Sequence, residues 1–280
     1  MHLLVILIAL AVIWRLRQTR VVSSGTWSDR WYRSLFLLLF PPLLLLTTAI
    51  SIICMGGSGM MLGVEASWLG YAVAVGYLIF AGCWLIIQTS QGSICLNQLR
   101  SYEQRAIAGT TARILDTDFP YSAQVGFWNS QLVISRGLLD TLDEEHLQAV
   151  LAHEQAHFDY RDTFWFFWLG WMRQIAAWLP NTELLWQELL LLRELRADRR
   201  AAEQVDFLLL AESLLTVAQT PVQSPMMLTA NFSSPLFGDR LKERIDFLLA
   251  ETDSIPQANW RSWTWIIWLF FPLFIIPLHY

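Results

Sequence analysis

His153-Glu154-Gln155-Ala156-His157 reads H-E-x-x-H, and the rest of the chain is read outward from it. In a helix, residues four apart lie one turn apart on one face, so both imidazoles can reach a single metal ion. The glutamate after the first histidine can then take a proton from a water on that ion. This is the working kit of a zinc-dependent peptidase. The bland alternative is a helix that merely carries two exposed histidines. Only five histidines occur in the 280 residues, so two of them at this spacing around a glutamate form a specific signal. Thr141 followed three residues later by Glu144 reads as a capping box, which predicts a helix running to about Asp159. Leu147, Val150 and Leu151 give that helix an apolar face. His146, seven residues before His153, reads as an ordinary surface residue or a prop for a ligand.

Composition sets the surroundings. A chain that is 55% hydrophobic and 15% charged, with fifteen tryptophans, departs from an ordinary soluble domain. Leu35 to Met55 and Ala66 to Ile87 are uncharged and long enough to span a bilayer. Ser262 to Leu278 is a further uncharged run, with Trp260, Trp263, Trp265 and Tyr280 placed as an aromatic belt would be. Met1 to Trp14 is apolar but reaches only about 21 Å as a helix. It lacks a basic n-region and a small-residue cleavage site, so it reads as a short first span. The expectation is an integral membrane protein.

Arginines orient it. Arg15, Arg17, Arg20, Arg30 and Arg33 lie between the first two spans, whereas Gly56 to Glu65 holds no basic residue. The positive-inside rule makes the arginine-rich loop cytoplasmic, and with it the long segment after the third span. The expected location is the plasma (inner) membrane, with the bilayer itself as a partner. A net charge of −5 without a basic patch argues against direct nucleic-acid binding. Cys54, Cys83 and Cys95 show neither metal-ligand spacing nor a disulfide framework.

Three segments follow from this reading: 1–90 as a membrane region with spans at about 1–14, 35–55 and 66–87; 91–255 as the metallopeptidase domain; and 260–280 as a final span. Within the domain, Leu96 to Ile107 predicts a helix. Ser122 to Trp128 and Leu132 to Ser135 predict two strands about a turn at Asn129-Ser130. A strand before such a helix is either a structural hairpin or the wall of a cleft to which an extended substrate adds itself. Phe164 to Leu179 is rich in aromatic residues around Arg173 and breaks at Pro180-Asn181; Leu184 to Leu192 supplies a return limb. Residues 164–192 therefore read as a membrane-embedded or interfacial hairpin. Thr220 to Pro235 reads as a loop, and Asp239 to Leu249 as an amphipathic helix.

A hydrolytic zinc takes three protein ligands and keeps one position open. Glu194 and Asp198 sit one turn apart after a very apolar run. Glu194 can bind the metal, while Asp198 can hydrogen-bond a ligating histidine and fix its tautomer. Asp159 and Asp162, just past His157, are further props, and Arg161 is a candidate oxyanion stabiliser.

From about Pro120 to Asp206 the chain resembles the membrane metallopeptidases of the β-lactam sensor and antirepressor (BlaR/MecR) type. The similarity is carried by Val150-Leu151-Ala152-His153-Glu154-Gln155-Ala156-His157, Arg161-Asp162, Trp178-Leu179-Pro180-Asn181, Trp186, Arg193-Glu194 and Ala197-Asp198, with Leu241-Lys242-Glu243-Arg244-Ile245 downstream. The resemblance implies Zn²⁺ held by His153, His157 and Glu194, with Glu154 as general base. It favours Asp162 over Asp159 as a prop. It also implies a mainly α fold, a gluzincin-like core of helices with a small β-hairpin or sheet. The substrate would be a protein or peptide, such as a cytoplasmic transcriptional repressor. No sensor domain follows Tyr280, so a β-lactam receptor role is not expected. Two alternatives stand beside it. One is a housekeeping membrane protease of the HtpX or CaaX-protease type, which shares H-E-x-x-H and an E-x-x-x-D second motif. The other is a non-proteolytic, zinc-binding membrane transducer, against which the intact Glu154 speaks.

Overall fold

The computed structural model describes residues 1–18, 25–61, 64–219, 237–249 and 263–279. Arg20, the Thr220 to Pro235 loop, Trp260 and Tyr280 lie outside the described residues. The chain is mainly helical with a small mixed sheet, and it divides into two compact units.

One unit gathers the described residues of 1–88, 169–189 and 255–280. Its first helix, α1 (His2–Arg17), buries His2, Val5, Ala9, Ile13 and Arg17, a stripe at helical spacing. Helix α2 (Trp27–Met55) starts at a capping box, in which the Thr26 hydroxyl accepts from the Asp29 amide. A two-residue hairpin, β1 (Met60–Met61) with β2 (Val64–Glu65), leads to α3 (Trp68–Leu99). Of the described helices, α2 and α3 are long and apolar enough to cross a membrane.

The arginine-bearing aromatic segment forms α6 (Asp162–Ile175), and its return limb is α7 (Thr182–Ala201). The turn between them is closed by Thr182, whose hydroxyl donates to the Ala176 and Leu179 carbonyls. Ala176 and Leu179 pack with Ala9, Ile13, Phe40 and Leu44, so the tip lies among the middles of α1 and α2. Arg173 is paired: its Nε donates to Glu183 at 2.9 Å and its guanidinium stands 5.2 Å from the Trp186 ring centre.

The C-terminal run departs from the regular span that its composition suggests. It forms α10 (Ile266–Leu269) and then a 3₁₀ stretch, Phe271–Leu278. Pro272 and Pro277 each lack an amide donor and block a continuous α-helix. One carbonyl in this stretch is recovered by Ser51, whose Oγ donates to the Pro272 oxygen at 2.6 Å.

The other unit gathers the described residues of 89–168 and 190–254. Its sheet comprises β3 (Gln104–Ile107), β4 (Thr110–Leu115), β5 (Ser122–Val125) and β6 (Gln131–Ser135), in the order β3-β4-β6-β5. The helix expected over Leu96 to Ile107 is corrected here. Helix α3 ends at Leu99, and Gln104–Ile107 pairs antiparallel with β4 across Ala108-Gly109, where both φ values are positive (45° and 81°). The strand expected to reach Trp128 ends at Val125, before Gly126 at φ 147°. A Cβ there would lie 2.8 Å from the Asn129 carbonyl oxygen, so the turn requires glycine.

Ala112, Leu132 and Ile134 form one sheet face and pack with Leu138, Leu142 and Val150. These last three come from α4 (Arg136–Thr141), the residue that follows it, and α5 (Glu144–Asp159). The cap of α5 is Asp143, whose carboxylate accepts from the His146 amide at 2.9 Å. Thr141, the expected cap, instead closes α4 by donating to the Gly137 carbonyl. Ala149 and Ala152 of α5 pack with Leu210 and Ala211 of α8 (Phe207–Gln219) and Leu248 of α9 (Phe237–Leu249).

Candidate metal centre

Helix α5 carries His153 and His157 on its buried side, next to Ala149, Ala152 and Ala156. Such small neighbours let other helices approach closely and fix the rings. The two Nε2 atoms stand 3.1 Å apart. From α7, Glu194 places Oε2 3.4 Å from His153 Nε2 and Oε1 3.7 Å from His157 Nε2. One ligand atom from each of the three residues falls within 4.8 Å of the others, which makes them a group able to hold a metal ion.

The donor set tests whether zinc fits. A tetrahedral ion about 2.0–2.1 Å from each ligand separates its ligand atoms by about 3.3 Å. The observed spacings of 3.1, 3.4 and 3.7 Å bracket that value. Two buried imidazole nitrogens at 3.1 Å need a cation or a proton between them. Two nitrogens and one carboxylate also match the three-ligand set of hydrolytic zinc with a position left open.

Each histidine is held from behind by a carboxylate, and each carboxylate by an arginine. His153 Nδ1 lies 2.8 Å from Asp198 Oδ1, and Asp198 takes both arms of Arg244 at 2.7 Å. His157 Nδ1 lies 2.7 Å from Asp162 Oδ2, and the other oxygen of Asp162 pairs with Arg196. With His157 Nδ1 hydrogen-bonded and His153 Nδ1 facing a carboxylate, each ring turns Nε2 toward the other ligands. Arg193 donates twice to Glu194 Oε1, at 2.9 and 2.6 Å.

Burial alone would depress both histidine pKa values. For His153, hydrogen bonds to Asp198 and Glu194 outweigh that and raise it to about 9. The Glu194 charge and the Asp162 hydrogen bond raise His157 as well. Burial works to raise Glu194, but the adjacent Arg193 and His157 hold it well below the usual carboxylate range. Asp198 is held low against burial by Arg244, and Asp162 by His157 and Arg196. The site therefore presents ionised carboxylates and cation-seeking nitrogens.

Glu154 lies beside this group. Ser122, on edge strand β5, donates to Glu154 Oε1 at 2.8 Å, while Oε2 is buried without a hydrogen-bond partner. The sequence-derived candidates His153, Glu154, His157, Glu194, Asp198 and Asp162 thus come together. His146 instead pairs with Asp143 and Glu212, Asp159 accepts from Gln155, and Arg161 is exposed at φ 52°. Ser122, Arg196 and Arg244 were not legible as site residues. Arg244 meets Asp198 across 46 positions, which no local spacing reveals.

Residues 114–245 match peptidase family M48. The matched span contains every member of the cluster, from Ser122 to Arg244, and supports a zinc metalloprotease. Peptidases of family M48 are metal-dependent, typically with zinc. No curated protein and no solved structure matches the chain.

Proposed function

We propose that this chain is a membrane-embedded zinc endopeptidase with its catalytic unit in the cytoplasm. One observation carries the proposal: a buried, unpartnered carboxylate oxygen of Glu154 beside the His153–His157–Glu194 group. A purely structural metal site has no use for it. Zinc bound there would polarise the scissile carbonyl and acidify the attacking water.

The chain's own residues supply the rest. Ser122 fixes one Glu154 oxygen, so Oε2 takes the water proton and then delivers it to the leaving amine. Asp198 and Asp162 hold the histidine rings in the orientation that directs Nε2 inward. Strand β5 supplies a docking edge. Tyr121 and Ser135 form a hydrogen-bonded pair through Ser135 N–H to the Tyr121 carbonyl. Alternation then turns the main-chain groups of Ser122 and Gln124 away from β6. An extended protein segment pairing with them would run past Glu154.

Membrane embedding is supported by α2 and α3, by the α6–α7 tip packed among α1 and α2, and by the arginines of the first loop. Two substrate classes follow. A cytoplasmic regulator such as a repressor rests on the antirepressor resemblance. Membrane-protein quality control rests on the E-x-x-x-D motif of Glu194 and Asp198, which the M48 match encloses. The deciding experiment compares new protein N-termini in cells expressing wild type and Glu154→Gln. One or two cleaved soluble regulators lost in the variant establish the first class; many membrane-protein fragments establish the second. Identical N-termini from both, with zinc bound in each, would sink the proteolytic reading.

A further inference from the structure

Outside the metal centre, the strongest electrostatic anomaly is Arg17. Its side chain is buried, with the residue 1% exposed, and Nε and both terminal nitrogens lack any hydrogen-bond partner. No carboxylate among the described residues pairs with it. A guanidinium is protonated at any physiological pH and offers five donors. An unpaired buried charge of this kind is strongly destabilising without a counter-ion. Among the described residues its charge is therefore unmatched.

The surroundings indicate its chemistry. Along α1 and the α6–α7 turn runs a groove of about 600 Å³, walled by Leu7, Leu10, Trp14, Trp178 and Leu179. Arg15 and Gln18 stand at its end. From Leu7 to Gln18 the helix covers about 16 Å, close to the depth of one leaflet of a hydrocarbon core about 30 Å thick. Arg17 belongs to the same corner. Asn181, two residues beyond the groove wall at Leu179, donates from Nδ2 to the Arg17 carbonyl at 3.0 Å. An apolar slot one leaflet deep, ending at Arg15 with the buried Arg17 two residues further on, has the charge pattern of a lipid with an anionic head. A helix C-terminus repels anions, and two cations in the last turn more than offset that.

We propose that this corner binds one anionic phospholipid, with an acyl chain in the groove and the phosphate drawn to Arg15 and Arg17. The site rests on the membrane reading above, and it is independent of the peptidase chemistry. Binding of the lipid would anchor the α6–α7 turn against α1 through a charge that the described residues leave unmatched.

The test uses the full chain purified in detergent. Thermal midpoint and native mass spectra are recorded with phosphatidylglycerol, with phosphatidylcholine and with inorganic phosphate. Phosphatidylglycerol should raise the midpoint and remain bound as a single lipid, while the other two leave both readouts unchanged. Equal shifts from phosphatidylcholine, or from phosphate alone, would overturn the proposal. Arg17→Met should bind phosphatidylglycerol roughly tenfold more weakly. Its midpoint in lipid-free detergent should equal or exceed that of wild type, because an unmatched buried charge has gone. If Arg17→Met destabilises the protein equally with and without the lipid, Arg17 is structural and the assignment fails. Should that variant not fold, Arg15→Gln reads the same weakening from the exposed side. Alkaline carbonate extraction separates the two layers of inference. A chain that is extracted loses the membrane reading, whereas one that stays in the membrane without a phosphatidylglycerol preference loses only the lipid site.

Discussion

Ser122 and Glu154, 32 residues apart, are joined by a 2.8 Å hydrogen bond from Ser122 Oγ to Glu154 Oε1. The edge strand that would receive a substrate is thus the element that orients the base. Ser122→Ala should lower kcat roughly tenfold, the worth of one hydrogen bond to a charged group. Zinc content should remain at wild-type level. Loss of zinc in parallel with activity would mean that Ser122 supports the fold and not the base.

The Glu154→Gln protein keeps every neighbour of the base but its charge. Zinc stoichiometry should be unchanged, and peptidase activity should fall by about 10²–10⁴. Chelation should silence the wild type, and added zinc should restore it. Activity retained after the metal has been removed would contradict this assignment.

Asp198 and Arg244 behave differently under substitution. Asp198→Asn leaves a hydrogen-bonding group behind His153 and should weaken zinc binding about 10–100-fold. Arg244→Ala leaves a carboxylate with 0% exposure without its charge partner, and should cost about 3–5 kcal/mol of stability. Competition with a metal indicator reads the first and a denaturation midpoint the second. Equal effects of both variants on zinc alone would show that the pair is not a buried ion pair in solution.

Protonation of the metal-free protein carries a definite sign. The His153 pKa is raised from 6.5 to about 9, so protonated His153 stabilises the fold fully below pH 6.5. That contribution disappears as pH climbs through 9; His157, also raised, acts in the same direction. The depressed carboxylates stay ionised throughout this interval and add no slope. The thermal midpoint of chelator-treated protein should therefore fall between pH 6.5 and 9.5. A midpoint that rises over that range would refute the assignment.

Gly137 tests the packing before the metal helix. A Cβ there would lie 2.0 Å from the Asp118 carbonyl oxygen, a backbone atom that cannot swing away. The Gly137 amide also donates to the Thr117 carbonyl at 2.9 Å. Gly137→Ala should destabilise by about 1–3 kcal/mol or more. A wild-type denaturation midpoint would show that the 116–118 loop moves freely.

Local spacing brings some residues together for a physical reason. His153, Glu154 and His157 lie within five residues, and helix geometry alone places them together. Glu194 and Asp198 share a face of α7 by the same rule. Structure departs from local pattern where a neighbour outweighs it. Gln104–Ile107 is a strand because β4 is there to pair with it, and the cap of α5 moved to Asp143 because Thr141 was already bonded within α4. Pro272 and Pro277 signalled the break in the C-terminal run, but hydropathy counts apolar residues and ignores missing amides.

The sequence by itself determined the donor types, the mainly helical character and the apolar segments, because spacing and composition act over one or two turns. Only the tertiary structure decided which distant residues complete the site. Ser122 reaches Glu154, Arg244 grips Asp198 and Arg196 grips Asp162 through contacts across 32, 46 and 34 positions. Burial is what makes such pairs form. A charge taken out of water must find its partner wherever the chain has brought one, and that search has no period in the sequence.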